Sequence, residues 1–172
     1  MEKDMEGINF SCCFTGHRRI PREEMRDLYR ELERVIDILI RSGVTHFRTG
    51  GALGFDTLAA LTVLDKRKED PRLTLELCIP CEDQTDGWGD EDIAIYKYVR
   101  AEADKVTVLH EKYVSGCMHE RNRYMVDGCH YCVAYCNKLK GGSAYTVGYA
   151  RSRGVKVVDL AMYLKQDCPD EL

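Results

Sequence analysis

Val44-Thr45-His46-Phe47-Arg48-Thr49-Gly50-Gly51-Ala52-Leu53-Gly54-Phe55-Asp56 is the stretch on which the fold turns. Residues 44–48 read as a short strand, three glycines follow within the next six residues, and Leu58, Leu61 and Leu64 continue along a helix. A strand that passes through a glycine loop directly into a helix is the unit of a parallel sheet. Right-handed crossovers then lay the helices on its two faces.

The same unit recurs outward in both directions. Upstream, the apolar run 8–14 stops at Thr15-Gly16, and Pro21 suits a first helical turn with Glu23 and Glu24 at the positive end of the helix dipole. Met25, Leu28, Leu32, Val35, Ile36 and Leu39 follow at helical spacing, and Gly43 is a natural stop. Downstream, residues 73–79 form a third strand ended by Pro80, and a polar loop leads to a helix capped by Asp90. Strands over 105–109, 129–135 and 155–158 alternate with helices over 118–126 and from Ser143 to near Gly154. The expectation is an α/β chain: a Rossmann-like three-layer sandwich with a mainly parallel sheet of about six strands. It forms a single domain over residues 1–172, with its core at about 8–160. In open sheets of this kind ligands bind beyond the carboxyl ends of the strands, where the glycine loops of this chain lie.

Composition narrows the function classes. A net charge of −4 argues against broad nucleic-acid or acidic-membrane binding while leaving room for a local basic pocket. The apolar runs are too short to span a membrane, and residues 1–7 lack the order of a signal peptide, so a cytoplasmic protein is expected. Nine cysteines include two C-x-x-C pairs, Cys78/Cys81 and Cys129/Cys132, which spell a zinc site by spacing alone. In an extended strand, however, residues i and i+3 point to opposite faces, so the thiols read as small apolar core residues and no metal site is expected.

Three loops carry the chemistry. Thr15-Gly16-His17-Arg18-Arg19 offers a tight turn and a forked phosphate donor in Arg18 or Arg19. Gly50, Gly51 and Gly54 leave backbone N–H groups open at a helix N-terminus, as a phosphate cradle requires. This loop has neither the lysine of a P-loop nor the spacing of the dinucleotide fingerprint. Asp56 either caps that helix or meets a ribose hydroxyl or a catalytic water. Lys138-Leu139-Lys140-Gly141-Gly142-Ser143 repeats the Gly-Gly-before-helix pattern. Arg121 and Asn122 stand beside an apolar stripe, where a solvated helix face would offer Lys or Glu; they read as phosphate and base or ribose ligands. Trp88 either stacks on a base or covers the core. The histidines show no nucleophile–base spacing and read as ordinary.

These residues together resemble the SLOG superfamily, most closely its YpsA-like branch. The matching set is Thr15-Gly16-His17-Arg18; Gly50-Gly51-Ala52 with Gly54 and Asp56; Pro80 with Gln84 and Trp88; residues 121–127; and Gly141-Gly142-Ser143-Ala144 with Tyr145-Thr146-Val147. The resemblance implies a Rossmann-type sheet and a pocket for nucleotides or nucleotide-derived molecules such as ADP-ribose or NAD relatives. Its ligand set would be Thr15, Gly16, Arg18, Gly50, Gly51, Ala52, Gly54, Asp56, Gln84, Trp88, Arg121, Asn122, Gly141, Gly142, Ser143 and Ala144. More distantly the chain is similar to Lonely-Guy-type phosphoribohydrolases, whose loop reads Pro-Gly-Gly-x-Gly-Thr with a glutamate soon after. Here Lys140 replaces the proline, Ala144-Tyr145 replaces Gly-Thr, and Val147-Gly148-Tyr149 supplies no carboxylate.

A nucleotide-binding sensor or regulatory domain is therefore expected. The alternatives are a hydrolase of the N-glycosidic bond, with Asp56 or Glu120 replacing the missing glutamate, and a non-binding scaffold. The expected partner is a nucleotide-like small molecule. No cofactor is required beyond Mg²⁺ brought in with a phosphate, and a homo-oligomer is compatible with the sequence.

Overall fold

The computed structural model describes residues 9–164. Strands β1 (Phe10–Gly16), β2 (Val44–Thr49), β3 (Thr74–Cys81), β4 (Lys105–His110), β5 (Tyr131–Tyr135) and β6 (Lys156–Asp159) alternate with helices α1 (Met25–Arg41), α2 (Phe55–Glu69), α3 (Asp90–Glu102), α4 (Cys117–Val126), α5 (Gly142–Ser152) and α6 (Leu160–Leu164). The six strands form one sheet in the order β4-β3-β2-β1-β5-β6, with every neighbouring pair parallel. The expected Rossmann-like α/β sandwich is the observed fold.

The chain walks outward from β1 to β4, then returns through α4 to pair β5 with the other side of β1. That reversal between β1 and β5 is a switch point. The loops leaving these two strands diverge there, which opens a crevice at the sheet's carboxyl edge. Helices α1, α2, α3 and α6 pack together on one face, and α4 and α5 pack together on the other.

Alternation along the strands supplies both cores. On the first face Cys12, Phe14, Phe47, Leu75 and Leu77 meet the apolar stripe Leu28, Leu32, Val35, Ile36 and Leu39 of α1. Phe14 stacks on Phe47 at 5.9 Å, and Phe55 at the start of α2 packs edge-on against Phe14 at 6.4 Å. On the second face Cys13, Cys78, Cys129 and Cys132 lie with Met125, Val126 and Ala150. Cys129 and Cys132 share this face, contrary to the strand geometry expected for them, because β5 begins only at Tyr131.

Element edges shift for local reasons. Residues 22–24 form a turn before α1, closed by the Glu24 N–H on the Pro21 carbonyl. Pro80 lies inside β3 and does not end it. β2 has already stopped beside Leu77, so the missing N–H leaves no gap in the ladder. Gly89, and not Asp90, occupies the N-cap of α3.

Candidate functional site

The second glycine loop is shaped by what it must clear. A side chain on Gly50 would begin 2.7 Å from Arg121 Nη1 and 2.8 Å from Asp56 Oδ2. Gly54 has a φ of +77°, and a Cβ there would overlap the carbonyls of His17 and Arg18. The Phe55 N–H donates to the His17 carbonyl at 3.1 Å, so the loops after β1 and β2 are locked together. Asp56, in the first turn of α2, folds back into its own loop and accepts the Ala52 N–H at 3.3 Å. It is 5% exposed, and burial pushes its carboxyl up to about 6 against the opposing pull of Arg121 and the Ala52 N–H.

Helix α4 brings Arg121 and Asn122 to the same point. Both are buried. Arg121 Nη1 donates to the Gly50 carbonyl at 2.5 Å, and its Nε donates to Asn122 Oδ1 at 2.9 Å. Burial pulls the guanidinium down from its usual value, while Asp56 opposes that shift. No carboxylate among the described residues lies within ion-pair distance of it; backbone and amide oxygens hold it in place.

The third wall is the N-terminal end of α5. Gly141, at a φ of +113°, is its N-cap, and no acidic side chain stands in its first turn. A Cβ on Gly142 would meet nothing within 4 Å, so this backbone faces open space with the positive end of the helix behind it. Lys138 and Lys140 stand exposed on the loop leading in.

These walls enclose a cavity of about 290 Å³. Thr15, Gly16, Arg18, Ala52, Asp56, Arg121, Asn122, Gly141, Gly142 and Ser143 line it, together with His17, Met118, Met125, Lys138 and Lys140. The cations Arg18, Lys138, Lys140 and Arg121 thus converge around one buried carboxylate. His17 lies inside the Thr15-Gly16-His17-Arg18 motif but read as an ordinary histidine, and Met118 carries no local signal for a site. The Lys-x-Lys before Gly-Gly was a readable signal.

The remaining expected residues lie elsewhere. Gly50, Gly51 and Gly54 shape the loop without lining the cavity. Gln84 sits behind the loop, where its Nε2 donates to the Gly50 carbonyl at 3.2 Å. Trp88 packs edge-on against Tyr96 at 5.7 Å and joins the first core. Ala144 lies beyond the cavity along α5. Glu120 is exposed and accepts from His110 Nε2 at 2.7 Å, outside the cavity, so of the two candidate acid–base carboxylates only Asp56 reaches it.

A second buried carboxylate, Glu76 on β3, was invisible in the sequence except as a charge inside an apolar strand. It is 1% exposed and meets His46 Nε2 and Arg48 Nε at 3.1 Å, Thr107 Oγ1 at 2.8 Å and Tyr124 Oη at 2.7 Å. Burial alone would raise its pKa, but these donors outweigh burial and hold it well below the usual carboxylate range. Arg48 also donates to the Asp127 carbonyl at 2.8 Å, at the end of α4. The two residues therefore fix the helix that carries Arg121 and Asn122.

Comparison with known proteins agrees with this architecture. The family model described as YspA SLOG family matches residues 19–159. The chain belongs to this family. Among curated relatives, a UPF0398 protein of Bacillus pumilus is 29% identical over 99 residues, 56% of this chain, which spans about half of that protein's length at 53%. The SPbeta prophage-derived protein YoqJ of Bacillus subtilis is 31% identical over 140 residues, covering 74% of this chain and 82% of YoqJ.

Among solved structures, DNA processing protein A of Streptococcus pneumoniae aligns with a TM-score of 0.65 at 16% identity, over 87% of this chain and 49% of that one. The Helicobacter pylori DNA processing protein A, whose structure concerns a single-stranded DNA binding mode, aligns at 0.62 and 16% identity, over 91% and 72%. This neighbour corrects one expectation for the SLOG-family chain. A protein of the same fold binds single-stranded DNA, so the net charge of −4 is no ground for excluding nucleic acid. The bulk figure hides the local cluster of cations at the cavity. Among the described residues no helix is long and apolar enough to cross a membrane.

Proposed function

We propose that this SLOG-family chain binds a phosphorylated nucleotide or nucleotide derivative, of the nucleoside phosphate or ADP-ribose class, as a sensor or regulatory domain. The observation that carries the reading is the division of labour inside one cavity. A helix N-terminus with Gly141, Gly142, Lys138, Lys140 and Arg18 offers an anion site. Asp56, buried and short of donors, offers an acceptor for ribose hydroxyls. Met118 and Met125 supply an apolar wall for a base. A free carboxylate ligand would meet Asp56 as a like charge; a sugar phosphate satisfies both ends.

Cleavage of the N-glycosidic bond remains the enzymatic form of this reading, with Asp56 as the carboxylate in position to stabilise a cationic sugar or activate water. Isothermal titration with AMP, ADP and ADP-ribose, with and without Mg²⁺, tests binding. Chromatography of the same mixtures over hours tests turnover against Asp56→Asn. Binding without turnover supports the sensor, and base release lost in Asp56→Asn supports the hydrolase. A second reading, in which one nucleotide of a single strand occupies the cavity, draws on the fold neighbour from Helicobacter pylori. Oligothymidylate that binds more tightly than any mononucleotide, and competes with it, favours that reading.

A further inference from the structure

The loop that brings Lys138 and Lys140 to the cavity leaves the sheet at Tyr135 and joins α5 at Gly142. Few bonds hold it. The Cys136 N–H donates to Asp159 Oδ1 at 3.1 Å, and the Asn137 N–H donates to His17 Nε2 at 2.9 Å. A backbone N–H only donates, so Nε2 of His17 must present its lone pair; the ring is neutral and carries its proton on Nδ1.

His17 is itself well fixed. Its N–H donates to the Tyr135 carbonyl at 3.2 Å, its carbonyl accepts the Phe55 N–H at 3.1 Å, and its ring stands edge-on to Tyr135 at 5.6 Å. The imidazole thus bridges the loop after β1, already locked to the Gly50–Gly54 loop, and the loop after β5. It does so within the cavity wall.

We propose that His17 is a positioning residue whose neutral ring accepts the Asn137 N–H and so sets Lys138, Lys140 and Gly141 in place to receive an anion. This rests on the reading that the cavity binds a phosphorylated ligand. The groups facing the ring fit the role: burial and the Lys138 ammonium pull its pKa below the usual histidine value, against the opposing pull of the Asn137 side-chain amide and the Asp159 carboxylate. Protonation would turn Nε2 into a donor facing another donor and release the loop. A histidine serving as a cation for the ligand would show the opposite charge dependence.

Three variants separate these roles: His17→Gln, whose side-chain oxygen can accept the Asn137 N–H at every pH; His17→Ala, which offers no acceptor; and His17→Lys, a fixed charge without an acceptor. Amide hydrogen exchange on the unliganded protein should show protection at Asn137 in wild type and His17→Gln, lost in the other two. Titration with ADP-ribose should show affinity lowered about tenfold in His17→Ala and His17→Lys, through loss of the loop's tether, and kept in His17→Gln. Wild-type affinity in His17→Lys or His17→Ala, or an Asn137 amide equally protected in His17→Ala, overturns the proposal. If the wild type binds no ADP-ribose, the nucleotide reading fails for that probe. The tether is then decided by exchange alone: protection lost in His17→Ala upholds it, and protection unchanged overturns it.

Discussion

Asp56 and Glu76 are both carboxylates buried in the same sheet protein, at 5% and 1% exposure, yet their surroundings have opposite effects. Glu76 is surrounded by donors from β2, β4 and α4, and these hold it ionised. Asp56 accepts loop N–H groups, sees Arg121 without pairing to it, and is raised to about 6. A polar core residue whose partners are complete is part of the scaffold. One whose partners are incomplete, and which faces a cavity, is disposed to meet a ligand.

The comparison can be broken at several strengths. The largest effect is expected at Gly142→Asp. Its Cβ enters open space and a carboxylate at a helix N-terminus favours the helix, so melting should stay near wild type. Nucleotide affinity should nevertheless fall at least a hundredfold, read by isothermal titration.

Next, Glu76→Gln strips the charge from a saturated network. Thermal or urea unfolding at pH 7 should report a loss of about 3 kcal/mol. Glu76 stabilises the fold above the pKa of an unfolded carboxyl, and that contribution disappears as pH falls through the acid range. Glu76→Gln should therefore flatten the acid limb of the stability profile.

Asp56→Asn should act with the other sign. A native carboxyl raised to about 6 binds more protons than the unfolded chain between roughly pH 4 and 6. Stability is lost as pH rises through that window and stays lower above it. The asparagine variant should thus be more stable than wild type at pH 7, by up to about 3 kcal/mol, and close to it near pH 4. The same change should weaken nucleotide binding. The smallest effect is expected at Glu120→Gln, which loses only an exposed contact to His110 and should change affinity and melting within error.

The sheet was legible because its signals are local: apolar runs that stop at glycine, and the α1 stripe from Leu28 to Leu39. The strand order was not, since no local pattern says that β5 returns beside β1. The glycine loops and the Arg121-Asn122 pair pointed to the edge of the sheet where the cavity lies. Gln84 and Trp88 did not, because a sequence cannot tell a residue that supports a loop from one that faces through it. Met118 reaches the cavity through chain reversal and carries no pattern of its own, and the motifs that hold His17 and Lys138 do not say that their two loops meet there. Glu76 could be seen only as an anomaly, because its partners come from three separate elements.

The most direct test is a thermal-shift panel at fixed ionic strength, comparing wild type and Gly142→Asp with AMP, ADP, ADP-ribose, NAD and inorganic phosphate. A nucleotide at about a hundred times its dissociation constant should add about 2.7 kcal/mol to the wild type and nothing to the variant. A flat wild-type panel, or the same rise in both proteins, would contradict a phosphate cradle at the N-terminus of α5.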